Sequence, residues 1–385
     1  MASSDRIKII IVENSRSTTG ALKSILASAQ MLKDEFDFIF VIPSDSANGE
    51  IFSQAGFQYF QLPFLEIGRN FTKLLLYFPQ LFINSGRLAW IIRTTGANII
   101  HVNDFYNLTG LAARILLPRC KLITHVRMLP ASFPQPIYQL WSTLTAFSDC
   151  IICVSMAVKE VFANSPKAML VYDRIPMEEK YPPVSIRPEP IIRLLYLGNY
   201  IQGKGQDTAL TAFKAAYRKD DRLRLNFHGG DMGLEKNKAF KQRLLDYVRR
   251  NDLQPVVTFN GFTSDVERVI KAHDVVLNCS EVESFSMVCF EALCYGVPLI
   301  ATDCGGPREM IECGVSGLLV PVGDALAVEK AILRLANDVE LRRQFSEKGK
   351  LLIHRKFDIR DEKQHLGHYY KQLCAGTERF RGESK

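Results

Sequence analysis

Apolar positions in this chain gather into short unbroken runs and not into the every-other pattern of a sheet with one wet face. Ile9–Val12, Phe38–Ile42, Ile99–Val102, Lys121–His125 and Cys150–Val154 form a first set. Helix-compatible stretches separate most of them, and that alternation predicts a parallel sheet covered by helices on both faces. A second set begins at Arg193–Leu197 and continues through Leu223–Phe227, Val256–Phe259, Val275–Cys279, Pro298–Thr302 and Gly317–Val320, again alternating with helices. The pattern therefore predicts an α/β protein that repeats one doubly wound architecture twice. Between the sets, Tyr181–Pro190 is rich in proline and suits an extended connector. The expected domains are 1–180 and 191–360, with 181–190 as linker. Two doubly wound domains would place a ligand cleft between the carboxyl ends of their strands.

Composition adds bounds. At 385 residues the chain is long enough for two cores, and 47% hydrophobic with 23% charged residues is ordinary globular material. The opening residues lead straight into Ile9–Val12 without a secretion-signal pattern, so a cytoplasmic setting is expected. Nine cysteines in apolar contexts read as reduced core thiols. Cys150 and Cys153 have redox-motif spacing but lie within a strand-like run, which favours packing over chemistry. A net charge of +7 suits acidic partners such as nucleotide phosphates or anionic lipid; no motif points to nucleic acid.

The candidate chemistry centres on Glu283 and Glu291. The strand ending at Cys279 turns into an apolar helix that runs to Tyr295, which puts one carboxylate in the loop and one on the helix. A loop-to-helix junction presents free backbone N–H groups, here those of Ser286, Met287 and Val288, as an anion site. Carboxylates beside an anion site suit a ligand that carries both phosphates and hydroxyls, such as a nucleotide-sugar.

The run Ser280–Asp324, with Gly296-Val297-Pro298, Gly305-Gly306-Pro307-Arg308-Glu309 and Gly317-Leu318-Leu319-Val320-Pro321, resembles the donor-binding half of retaining glycosyltransferases of family four, which have the GT-B fold. Several motifs recurring in one order are far more specific than one short motif. The resemblance implies that Glu291 binds the donor ribose and that Glu283 touches hydroxyls of the transferred sugar, with Ser284 and Phe285 in the same donor loop. It implies retention, and a final helix, 361–385, that crosses back to the first domain. The family usually has glycine where this chain has Ser284 and Ser286, so the sugar pocket is expected to be narrower.

After the first strand of the second set, Gly198-Asn199-Tyr200-Ile201-Gln202-Gly203-Lys204-Gly205 approaches a phosphate-binding P-loop, but Gly205 stands where a magnesium-holding hydroxyl is needed. The resemblance fits better: Gly198 and the Lys204-Gly205 pair match its donor loop, and Lys204 would neutralise charge on the departing diphosphate. Asn199 stands where the family often has arginine. No Asp-x-Asp pair occurs, so no metal or cofactor is expected, the nucleotide-sugar being a substrate. In the first domain, Gly20 matches the family glycine that approaches the donor phosphate. His125, at a strand end, is expected to meet the sugar or to orient the acceptor hydroxyl; His101, Asp104 and Arg127 are weaker candidates.

Phe71–Arg93 is apolar with basic flanks but too interrupted to span a membrane. A buried helix of the first domain is the favoured expectation, and a helix lying on a membrane surface the alternative, which would suit a lipid-linked acceptor at the inner face. The function expected is metal-independent transfer of a sugar to an acceptor hydroxyl in polysaccharide or glycolipid assembly. The rivals are a sugar-nucleotide epimerase of the same fold, an inactive nucleotide-sugar binder and, weakest, a dinucleotide oxidoreductase.

Overall fold

The computed structural model describes residues 6–16, 18–64, 71–173, 190–357 and 359–375. The chain divides into two compact units, Met1–Pro176 joined by Ile359–Lys385, and Met177–Asp358. Of the expected connector, all but Pro190 lies outside the described residues.

The first unit is built on β1 (Ile7–Val12), β2 (Phe36–Pro43), β3 (Gln58–Leu62), β4 (Ile99–Val102), β5 (Lys121–Val126), β6 (Cys150–Cys153) and β7 (Ala168–Leu170). All pairings are parallel, in the order β3-β2-β1-β4-β5-β6-β7. Its helices are α1 (Gly20–Leu32), α2 (Gly49–Gln54), α3 (Phe71–Thr95), α4 (Thr109–Leu116), α5 (Gln135–Thr145) and α6 (Met156–Val161). Side chains alternate across a strand, so Ile9 and Ile11 pack under α1 and α2 while Ile10 and Val12 pack under α3 and α4. Both faces are covered, which is why the strands read as continuous apolar runs.

That alternation also settles Cys150 and Cys153. Both are fully buried in β6, and three positions apart on a strand they point to opposite faces, so they cannot act as a pair. Burial pushes both thiols well above the ordinary cysteine range.

The expectation of a buried helix over Phe71–Arg93 holds for one side only. Tyr77, Leu88, Ile91 and Ile92 are buried, but the outward side of α3 exposes Leu75, Leu76, Phe78, Phe82, Ile83 and Trp90. No helix among the described residues is long and apolar enough to cross a membrane.

The second unit holds β8 (Ile192–Leu197), β9 (Leu223–His228), β10 (Val257–Asn260), β11 (Val275–Asn278), β12 (Leu299–Thr302) and β13 (Leu318–Val320). They are parallel in the order β10-β9-β8-β11-β12-β13. Around them lie α7 (Gln206–Tyr217), α8 (Glu235–Arg250), α9 (Val266–Lys271), α10 (Met287–Tyr295), α11 (Gly306–Met310), α12 (Ala325–Asn337) and α13 (Val339–Lys356). The chain leaves β8 to one side for β9 and reaches β11 on the other, so the strand order reverses at β8/β11. Ligands of open α/β sheets bind outside the carboxyl ends of the strands at such a switch point. The two loops flagged by the sequence follow β8 and β11.

The last helix, α14 (Ile359–Ala375), belongs to the first unit, where Leu366, Tyr370 and Leu373 are buried against α1 and β2. Tyr370 meets Phe36 edge-on at 5.4 Å, and Lys371 pairs with Glu35 at 2.7 Å.

Candidate active site

In the second unit, glycine chemistry brings the two loops together. Gly205 has φ +77°, and a Cβ there would stand 1.8 Å from the Cys279 carbonyl oxygen, so only glycine lets the loop after β8 cross the end of β11 at this height. The buried hydroxyl of Tyr196 ties the crossing: it accepts from the Cys279 N–H at 3.0 Å and donates to the Lys204 carbonyl. Gly203 accepts from the Glu281 N–H at 2.8 Å.

This fastening sets Lys204 against Glu283. The Lys204 ammonium donates to Glu283 Oε1 at 2.8 Å, and the Ser280 hydroxyl donates to the same oxygen at 2.8 Å. The Glu283 backbone is held by the loop after β12, its N–H donating to Cys304 at 3.1 Å and its carbonyl accepting from Gly306 at 2.9 Å. Gly306 is required there, because a Cβ would meet the Phe285 carbonyl oxygen at 2.2 Å. Burial disfavours the Lys204 charge, but the charge of Glu283 and its hydrogen bond more than offset this, and the lysine pKa is raised. The site therefore holds a protonated ammonium on a pinned backbone.

Ser286 is the N-cap of α10 at φ +81°, a backbone state that strains any residue with a Cβ. Glycine is at ease there, which accounts for the family pattern at this position. Here the serine hydroxyl caps Cys289 N–H at 3.5 Å and accepts from Asn278 at 2.9 Å. Ser284 is not among the positive-φ residues, so its departure from glycine carries no backbone strain. Met287 and Val288 supply the first amides of the helix, and Glu291 lies one turn further on, buried rather than exposed.

Two proposed donor contacts change character. The Phe285 side chain is buried with Phe290 and Phe357, so only its backbone faces the loop. Asn199 Oδ1 accepts from the Gly230 N–H at 3.1 Å, which ties this side chain to the turn after β9. Gly198, at the end of β8, has open space where a Cβ would be.

In the first unit, Gly20 opens α1, with Thr19 as N-cap bonding the Leu22 N–H at 3.2 Å. The ends of β1, β4 and β5 carry a buried polar network that the sequence reading found only in part. Glu13 binds the amide of Asn103, whose Oδ1 accepts from Arg127 at 2.9 and 3.1 Å, and Arg127 pairs with Asp173. Arg127 also donates to His125 Nδ1 at 3.3 Å. A guanidinium only donates, so Nδ1 is an acceptor and the His125 proton sits on Nε2. The chain continues backwards: His101 Nε2 meets His125 Nδ1 at 3.3 Å, and the Tyr370 hydroxyl meets His101 Nδ1 at 2.7 Å. Burial, then Arg127, pulls His101 down to about 3 and His125 well below the ordinary histidine range, so both are neutral. His125 Nε2 is buried without a hydrogen-bond partner. It is an N–H with no partner among the described residues, whereas buried donors are almost always satisfied. Burial pushes Asp104 up to about 8, although Arg127 works the other way. Glu13, Asn103, Asp173 and Tyr370 were not flagged by the sequence; the one signal the first three offered was polar residues at or beyond apolar strand ends, and Tyr370, inside α14, offered none.

Two doubly wound units of parallel strands, the first including the C-terminal helix, give the chain the GT-B fold. Residues 177–352, nearly all of the second unit, match the family model described as "Glycosyl transferases group 1". The crystal structure of Anabaena Alr3699/HepE in complex with UDP-glucose superposes with a TM-score of 0.82 at 19% identity, over 95% of this chain and 100% of that one. At that identity the likeness speaks for the fold. The N-acetyl-alpha-D-glucosaminyl L-malate synthase of Bacillus anthracis is 35% identical over 114 residues, 30% of either chain. The Homo sapiens alpha-1,3/1,6-mannosyltransferase ALG2 is 26% identical over 266 residues, 63% of either chain. In both, the match spans less than two thirds of the relative's length.

Proposed function

We propose that this protein is a retaining, metal-independent glycosyltransferase that moves a sugar from a nucleoside-diphosphate sugar to an acceptor hydroxyl in polysaccharide or glycolipid assembly. The observation that carries the reading is the Lys204–Glu283 pair, set beside the leading amides of α10 at the strand-order reversal. The UDP-glucose held by the Anabaena neighbour supports a nucleotide-sugar donor.

In this mechanism the diphosphate lies on the amides of Met287 and Val288 with the Lys204 ammonium beside it. Glu283 Oε1 keeps the lysine, and Oε2, for which no hydrogen bond is described, accepts from a sugar hydroxyl. The acceptor oxygen attacks the anomeric carbon on the face the diphosphate leaves, the bond to the phosphate oxygen breaks, and that oxygen takes the acceptor's proton. Charge growing on the diphosphate meets preorganised donors, which is where such sites gain most. The neutral His125, with Nε2–H unpaired, would donate to a hydroxyl on the acceptor side. The acceptor is proposed to be lipid-linked and met at the inner face of a membrane.

Thermal-shift measurements with uridine, guanosine and adenosine diphosphate sugars test donor binding, since a ligand that prefers the native state raises the melting point. The expected outcome is a rise with one nucleotide that is lost in Lys204→Ala, followed by transfer from that donor to a hydroxyl acceptor. No rise with any donor, or conversion of the donor to an isomer without an acceptor, overturns the reading.

A further inference from the structure

The exposed side of α3 carries Leu75, Leu76, Phe78, Phe82, Ile83 and Trp90, of which Phe82 is 78% exposed. Soluble surfaces scatter such residues singly, and a contiguous row along one helix marks an interaction site. The row does not stand alone. The crossovers β3–α3–β4, β4–α4–β5 and β5–α5–β6 all advance in one direction across the sheet, so right-handed connection puts the three helices on one face. On that face Ile115 of α4 and Leu140 of α5 are exposed as well.

Charge decides what covers it. None of α3, α4 and α5 contains an aspartate or glutamate. From Ile67 to Ser148 the sequence has eight basic residues and a single acid, Asp104, which is buried. Arg87 and Arg93 are exposed on α3 beside Trp90. Asp149, paired with Arg114, and Glu160 of α6 are the acids at the far side of this face. The three helices themselves combine apolar side chains, an indole and arginines without a carboxylate, which is complementary to an anionic lipid headgroup layer over acyl chains.

We propose that the α3 face of the first unit is a docking surface for an anionic bilayer. Leu75, Leu76, Phe78 and Phe82 would enter the acyl boundary, Trp90 would sit at headgroup level, and Arg87 and Arg93 would meet lipid phosphates. The leading end of α3 lies at the edge of the sheet where the strands end, the edge that carries His125. Docking there would hold that edge near the membrane. The surface belongs to the first unit and deepens the lipid-side part of the proposed function, but its test does not depend on donor chemistry.

The test is binding of the full chain to vesicles of phosphatidylcholine alone and of phosphatidylcholine mixed with phosphatidylglycerol. Sedimentation and tryptophan emission are the readouts. The chain has two tryptophans, and Trp141 is buried, so a blue shift on adding vesicles reports Trp90. Expected are binding and a blue shift with the anionic vesicles, weaker binding at high salt, and loss of the shift in Trp90→Phe. Leu76→Asp with Phe82→Asp should weaken binding more than about tenfold, and Arg87→Gln about fivefold. Circular dichroism melting shows whether each variant is folded. No binding of the wild type to anionic vesicles overturns the proposal. So does binding that folded variants leave unchanged, or a concentration-dependent dimer that the acidic variant dissolves, which would assign the face to a second copy. Donor binding measured in the same preparation separates this outcome from failure of the glycosyltransferase reading.

Discussion

The two units repeat one architecture and use the carboxyl ends of their strands differently. In the second, the loops after β8 and β11 present backbone amides and a single ion pair, Lys204 with Glu283, of which the lysine side chain is about one third exposed at 35%. In the first, Glu13, Asn103, Arg127, Asp173, His101 and His125 are packed away from water. Every one of those groups has a protein partner at one or more atoms, and His125 Nε2 is left over. In the proposed reading the second unit grips something charged, and the first orients one neutral donor. A grip tolerates water because it works through charge and amides. A single oriented N–H requires a network, because a buried polar group is costly unless its partners define its direction.

The sharpest way to break this contrast is at the grip. Glu283→Ala should lower transfer by roughly a thousandfold with the fold intact, since preorganised groups at developing charge are worth that much. Near-normal turnover by a folded variant would remove the role. On the orienting side, His125→Ala is expected to cost about a hundredfold in kcat with little change in donor affinity, measured by donor thermal shift beside turnover. Tyr370→Phe should follow in the same direction but more weakly, about tenfold or less, because it frees the His101 tautomer without removing the donor. Restoration by no other change at position 370 than a hydroxyl-bearing ring separates this from mere packing loss.

The networks also predict a pH dependence of the first unit, with an alkaline limb from Asp104 beside the acid limb that buried histidines such as His273 give the second unit as well. Both tryptophans lie there, so fluorescence-detected unfolding reads it alone. His101 and His125 have depressed pKa values, so the unfolded chain binds more protons than the native one below about 6.5, and stability falls on acidification. Asp104 is raised to about 8, so the native state holds a proton that the unfolded chain has lost, and stability also falls as pH climbs towards 8. Each group contributes about 1.4 kcal/mol per pH unit inside its window. Stability from these groups should therefore peak near pH 6.5, and Asp104→Asn should flatten the alkaline limb. A limb of unchanged slope in that variant would show that Asp104 is not the group responsible.

The smallest effect is expected at Ser286. Ser286→Gly relieves a left-handed backbone worth about 1 kcal/mol but loses the cap, so stability should hardly move. Ser286→Ala keeps the strain and loses the cap, and should cost about 1 kcal/mol in chemical denaturation.

Much of this fold was legible because both faces of each sheet are buried, which writes central strands as continuous apolar runs. β3, Gln58-Tyr-Phe-Gln-Leu, escaped that pattern as an edge strand with exposed glutamines, and β7 is only three residues long. The juxtaposition of Lys204 and Glu283 was legible too, since both and the α10 junction fall inside a local ordered pattern. The first unit's network was not. His101 and Tyr370 are 269 positions apart, and a tyrosine in a terminal amphipathic helix gives no sign of a partner at that distance. The local partners of Asn199 Oδ1 and of the Phe285 ring were hidden for a related reason: sequence spacing does not reveal the neighbours that take them up.

The placement of α14 bears on how the chain comes into being. Its Leu366, Tyr370 and Leu373 complete the core of a unit whose other members are encoded before residue 177. On the ribosome, the half that emerges earliest is therefore the half finished last, and it waits with an open apolar flank while the whole of the other half is synthesised and folds. Premature termination between Asp358 and Leu366 would leave a complete second unit attached to an unfinished first one.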